Sequence, residues 1–196
     1  TRFALVSWAR VYKRQCIYNP IDLQRIYELR QNSIGDISKP YILVVGRLIQ
    51  TKRFDRAIKI FKKGEFYKKY DLYIIGEGEL KSELIKLTNK LELQHSVKFL
   101  GWQNNVYKWM NKAELVLQTS DREAFPMILI EALASGTKVV ASDCEYGADE
   151  IMLGEYSQFI SKRDDIENCV RTINNAINSF LVSSNYTISV SYTHLR

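Results

Sequence analysis

From position 39 onward, short and almost unbroken apolar runs alternate with longer stretches in which apolar residues return every three or four positions. YILVVG (41–46), DLYIIG (71–76), SVKFLG (96–101), AELVLQ (113–118) and TKVVAS (137–142) read as strands covered on both faces. None contains proline, and Gly or Asp bounds four of them. Between them the helical period predicts helices at 54–63, 79–91, 106–112 and 126–135. A weaker strand at 156–160 and a last helix at 165–181 follow. Strand and helix in strict alternation, with short connections, predict an α/β chain with a doubly wound parallel sheet. Ligands of such sheets bind beyond the carboxyl ends of the strands.

One helical stretch carries a charge that does not belong to its pattern. In SDREAFPMILIEALASG (120–136), Glu131 is the only charged residue between positions 125 and 134. The apolar residues around it leave no polar face to turn toward water, so its carboxylate must be paired, hydrogen-bonded or protonated. The predicted strand ends place other chemistry nearby. Gly46, Arg47 and, five residues on, Lys52 follow the first strand; GEG (76–78) follows the second; Glu123 follows the fourth. The GEG motif fails the dinucleotide fingerprint because Lys81 occupies the third glycine position. Arg47 and Lys52 would face a helix whose Pro126 suits the first helical position, and free N–H groups there make an anion site. Two cations opposite a helix start suit a diphosphate.

Composition changes this picture little. At 196 residues and 46% apolar content the chain can bury a core of ordinary size. No apolar run approaches the roughly 18 residues that span a bilayer, and no secretory signal is visible. The three cysteines, Cys16, Cys144 and Cys169, fall in no metal-ligand spacing and suit a reducing compartment. His95 and His194 also lie in no ligand spacing, so no metal is expected. The formal charge of +6 would suggest nucleic acid, but it resides at the ends. VYKRQ (11–15) and VSYTH (190–194) can be encoded by one DNA sequence read on opposite strands, as in the inverted end of a sequencing-library transposon. Positions 1–15 and 190–196 hold five basic residues and no acid; the rest carries 23 basic against 22 acidic residues, a net +1. Nucleic acid is therefore not an expected partner.

VVGRL followed by Lys52, IIGEGEL, VKFLG, a strand ending in S-x-x-E with EAFPMILIEALASG, and VVASDCEYGADEI resemble the donor-binding half of a family-four retaining glycosyltransferase of the GT-B fold. The resemblance runs from about position 18 to about 181 and implies a Rossmann-like domain that binds a nucleotide-sugar without a cofactor. EAFPM stands where EGFGL is commonest in that family, and GADEI where a Gly-Gly or Gly-Pro pair often precedes the glutamate. By resemblance Glu131 takes the ribose hydroxyls, Glu123 faces the transferred sugar, and Arg47 with Lys52 neutralises the donor phosphates as the leaving group departs. Backbone N–H groups of Phe125, Pro126's neighbourhood and Met127 share that task, and Phe99 and Leu100 meet the base. Gly46, Gly76 and Ala124 complete the expected donor-binding set, with Glu123, Arg47 and Lys52 as its catalytic members.

The resemblance also implies an organisation. Positions 1–15 read as a non-native arm, 16–38 as a hinge, 39–182 as the nucleotide-sugar-binding domain and 183–196 as a tail. The expected reaction moves a hexosyl or N-acetylhexosaminyl group from a UDP- or GDP-sugar to a glycan or lipid-linked acceptor, with retention. The acceptor domain would precede this one, and the chain alone would be inactive. A GT-B nucleotide-sugar epimerase and a non-catalytic nucleotide-binding module are the rival readings. The expected location is the cytoplasm, with contact at the inner membrane face as the surface role left open. A basic stretch with interleaved aromatics, Lys59 to Tyr70, could serve it, although a solvated helix and loop explains that stretch more simply.

Overall fold

The structure, a computed structural model, describes residues 20–145 and 147–179. The VYKRQ and VSYTH ends, Cys16 and an Asn185 glycosylation sequon lie outside them. Among the described residues six strands form one parallel sheet: β1 (Tyr41–Val45), β2 (Asp71–Ile75), β3 (Val97–Gly101), β4 (Leu115–Gln118), β5 (Val139–Ser142) and β6 (Ile160–Ser161). Their order is β3-β2-β1-β4-β5-β6. The chain winds outward from β1 to β3, then returns to β1's other side and winds outward again. β1 and β4 are neighbours whose following connections leave in opposite directions, which makes the gap above them the switch point of the sheet.

The helices are α1 (Leu23–Leu29), α2 (Phe54–Lys63), α3 (Lys81–Lys90), α4 (Tyr107–Lys112), α5 (Met127–Ala134), α6 (Ala148–Ile151) and α7 (Ile166–Asn178). Period decides which faces they bury. Phe54, Ala57, Ile58 and Phe61 in α2, and Cys169, Thr172, Ile173 and Ala176 in α7, repeat at i, i+3, i+4 and i+7 and are buried. Each large apolar side chain so covered contributes about 1.5–3 kcal/mol relative to exposure. Asp22 and Asp165 cap α1 and α7 by accepting from the Arg25 N–H at 3.0 Å and the Asn168 N–H at 2.8 Å. The segment read as a hinge thus contains a helix. α1 buries Ile26, and hydrogen bonds from Arg30 Nη1 to the Ala134 carbonyl and from Asn105 Nδ2 to the Leu29 carbonyl fasten it to α5 and the turn before α4.

The predicted strand at 156–160 is a correction. That stretch belongs to a 3₁₀ helix, Gly154–Phe159, and only Ile160–Ser161 joins the sheet. Ser157 Oγ donates to the Gly154 carbonyl and Gln158 Nε2 to the Glu155 carbonyl, each at 2.7 Å. Such local bonds offer the backbone an alternative to a ladder, and they prevail at a sheet edge where one partner strand is missing.

Candidate functional site

Above the switch point lies a cleft of about 320 Å³, lined from the β1 side by Gly46, Arg47 and Lys52 and from the β4 side by Ser120 and Glu123. Phe125, Pro126 and Met127, at the start of α5, close it. Residues distant in sequence meet here because parallel strands deliver their carboxyl ends to one edge.

The two cations are not equivalent. Lys52, at the end of a 3₁₀ turn (Gln50–Lys52), places Nζ 2.6 Å from both carboxylate oxygens of Glu123. Ser120 Oγ donates to Glu123 Oε1, also at 2.6 Å, and the glutamate side chain is only 11% exposed. Lys52 therefore does not stand open beside Arg47 as a second free charge; without ligand it is half of an ion pair. Arg47 is exposed and, among the described residues, its guanidinium has no hydrogen bond or ion pair; the Arg47 carbonyl accepts from the Ile49 N–H at 2.9 Å. Pro126 is the N-cap of α5 rather than its first residue, and no side chain caps that helix, in contrast to α1 and α7. The Met127 N–H already donates to the Phe125 carbonyl at 2.9 Å, so it is not an open donor in this state.

Glu131 does not line the cleft. It lies on α5 facing α4, where the Tyr107 hydroxyl donates to Oε1 at 3.5 Å. Burial raises its carboxyl above the usual glutamate range, and the Tyr107 bond offsets this in part. The ionised carboxylate is then a cost to the native state. Glu131→Gln should raise stability at neutral pH, and the gain should shrink as pH falls through the raised native value and vanish below the unfolded value of about 4.3. Thermal melts of both proteins between pH 4 and 8 check this; a loss of stability at neutral pH would show the carboxylate to be a structural partner.

The remaining expected residues are spread along the same edge. Gly76 follows β2 beside Gly46, whose N–H donates to the Ile75 carbonyl. Phe99 and Leu100 are half-buried on β3, two strands from β1, and Ala124 is exposed in the loop before α5. Sequence reasoning passed over a polar group beneath the cleft. Gln118 Oε1 accepts from the Ser142 N–H at 3.2 Å, and Ser142 Oγ donates to the Ser120 carbonyl at 2.7 Å. The available signal was a glutamine closing an otherwise apolar strand. The basic stretch is locally satisfied: Lys59 pairs with Asp55, Lys63 with Glu167 and Lys68 with Glu65, while Lys62 and Lys69 lie over Tyr67 and Tyr70. Among the described residues no helix is long and apolar enough to cross a membrane, and no cluster of His, Cys, Asp and Glu could hold a metal.

Sheet order and cleft together define a Rossmann-like α/β domain with a ligand cleft at its switch point, the architecture of one half of a GT-B glycosyltransferase. The chain belongs to the family Glycosyl transferases group 1, whose profile matches residues 28–184. It is 39% identical over 141 residues to an N-acetylgalactosamine-N,N'-diacetylbacillosaminyl-diphospho-undecaprenol 4-alpha-N-acetylgalactosaminyltransferase of Campylobacter jejuni, a match covering 71% of this chain and 37% of that protein. An uncharacterized glycosyltransferase of Haemophilus influenzae is 28% identical over 152 residues, covering 77% and 43%. The chain thus spans less than half the length of these relatives. Among solved structures, Anabaena HepE in complex with UDP superposes with a TM-score of 0.69 at 22% identity, covering 88% of this chain and 51% of that one. TarM of S. aureus, solved with UDP among its ligands, gives 0.70 at 21% identity, covering 89% and 35%. Both share the fold.

Proposed function

We propose that the chain is the donor-binding half of a retaining glycosyltransferase that moves a hexosyl or N-acetylhexosaminyl group from a UDP- or GDP-sugar to a glycan or lipid-linked acceptor. The observation that carries this reading is the meeting of Arg47, Lys52, Glu123 and the uncapped start of α5 in one cleft at the switch point. Arg47 offers an unengaged guanidinium to the diphosphate. Lys52, shared with Glu123, neutralises charge that develops on the leaving phosphate, and the α5 dipole adds to it. Glu123, held by Lys52 and Ser120, accepts hydrogen bonds from the sugar hydroxyls. Glu131, one turn along α5 from the cleft-lining Met127 and Ile128, has one weak donor in Tyr107 and acceptor capacity left for a ribose that extends beyond the cleft.

The Campylobacter relative's name specifies N-acetylgalactosaminyl transfer onto a lipid-linked carrier, which supports an N-acetylhexosamine donor and a lipid-linked acceptor. Transfer needs an acceptor hydroxyl held at the anomeric carbon, and such proximity can account for about 7–11 kcal/mol of barrier. We assign that acceptor surface to a further domain of the whole protein. Calorimetric titration of this chain with UDP, GDP and ADP tests the reading. Saturable binding of UDP or GDP, without sugar transfer to any acceptor, is expected. No binding of any of the three at millimolar concentration would overturn it.

A further inference from the structure

α2 buries a charge that the cleft does not use. Arg56 stands on the apolar side of that helix, beside Ala57, and is 5% exposed. A guanidinium cannot discharge itself, so burial demands partners for its donors. Two come from the β4 side of the β1–β4 gap and a third from the turn after β6. Nη1 donates to the Thr119 carbonyl at 2.8 Å; Nη2 donates to Asp121 Oδ1 at 2.6 Å and to Asp164 Oδ1 at 3.1 Å. Asp121 is shared: Oδ2 accepts from Arg53 Nη1 at 2.9 Å, and its N–H donates to the Thr51 carbonyl at 2.9 Å. The Thr119 hydroxyl lies within hydrogen-bond distance of the Lys52 and Arg53 carbonyls, at 3.2 and 3.0 Å.

Every one of the contacts to residues 51–53 crosses between the turn that carries Lys52 and the loop that leads to Glu123. Arg53 has φ +50°, a left-handed conformation that a non-glycine residue keeps only where its surroundings over-determine it. Burial pushes the Asp121 carboxyl up, but hydrogen bonds from Arg53 and Arg56 outweigh it and hold that carboxyl below its usual range.

We propose that Arg53, Arg56, Thr119 and Asp121 are positioning residues that lock the Lys52 turn and the Glu123 loop into one unit, so that a donor meets both charges at a fixed separation. This rests on the donor-site reading above. Arg53, Arg56 and Asp121 do not line the cleft, and Thr119, which does, has its hydroxyl on the Lys52 and Arg53 carbonyls; the network acts through Lys52 and Glu123. Its logic is that a misplacement of about 1 Å in a binding constellation can remove most of what the constellation contributes.

A double-mutant cycle separates positioning from simple support of the fold. Asp121→Asn should weaken binding of UDP, or of GDP if that is the nucleotide bound, about tenfold, within the range for residues of one network. On a Lys52→Ala background the same substitution should cost less than about threefold, because one of the two charges whose separation it fixes is gone. Equal affinity of Asp121→Asn and wild type would overturn the proposal, and so would an equal loss on both backgrounds. Should Asp121→Asn fail to fold, Thr119→Val, which removes only the hydroxyl contacts, is held to the same criteria. Amide hydrogen exchange provides a readout without nucleotide: positions 50–53 and 120–125 should speed up together in either variant. Acceleration of one segment alone would overturn the proposal even if wild type binds no nucleotide, an outcome that would by itself defeat only the donor-site reading.

Discussion

Replacing Lys52 with alanine should damage both the binding and the stability of the domain, whereas Arg47→Ala should damage binding alone. Each residue offers a charge-assisted contact to a diphosphate, worth about 1.5–3 kcal/mol, so either change should weaken nucleoside diphosphate binding tenfold or more. Their ligand-free states differ. Arg47 is exposed and unengaged, and its loss should alter stability by no more than about 0.5 kcal/mol. Lys52 neutralises Glu123, whose side chain is 11% exposed. Its removal leaves a mostly buried carboxylate with Ser120 as its remaining side-chain donor and should cost about 1–3 kcal/mol. Calorimetry and thermal melts on both variants check the contrast. A Lys52→Ala protein as stable as wild type would mean that the ion pair contributes nothing to the free state.

Gly76→Ala should be the most destabilising single change considered. Gly76 follows β2 at φ +136°, and a Cβ there would stand 1.9 Å from the Gly46 carbonyl oxygen and 2.9 Å from its carbon. Both atoms are backbone, so no side chain can rotate away; β1 and β2 must separate where Gly46 leads into Arg47. A positive-φ penalty combined with such forced separation should cost at least about 3 kcal/mol. For a domain of this size that is a fall of roughly 6–12 °C in Tm. Nucleotide affinity should fall with it, since the displaced backbone carries the β1 side of the cleft. A Tm change below 2 °C would show that the two strand ends are not held in contact. Gly76 thus has a packing reason to be glycine, independent of any contact with a ligand.

Most of the sheet was legible in the sequence because strands buried on both faces must be apolar along their length. YILVVG and DLYIIG became β1 and β2 with all but their final glycines included. AELVLQ and TKVVAS lost their first two residues, and Glu114 and Lys138, polar positions at those ends, approach each other at 3.9 Å outside the strands. The short edge strand failed because nothing in a single stretch says whether a partner strand or a local turn will take its hydrogen bonds. At the cleft, the identities of Arg47, Lys52 and Glu123 could be read, since charges at the ends of apolar runs stand out. That Lys52 already belongs to Glu123 could not. Arg56 was missed although it carried the same signal as Glu131, a charge within an apolar face; in α2 the neighbouring lysines and aspartate of the exposed face hide it.

The sequence by itself determined the alternation of strand and helix, the parallel sense of the sheet, and which residue types stand at the strand ends. Those follow from local period and from the requirement that backbone and apolar surface be satisfied within each element. Only the tertiary structure decided which charges are free and which are spent. Lys52 meets Glu123 across 71 positions and Arg56 meets Asp121 across 65, and each pairing exists because β1 and β4 lie side by side. Strand order is settled by how the whole core packs, so the separation and partners of those charges are properties of the folded sheet that no window along the chain contains.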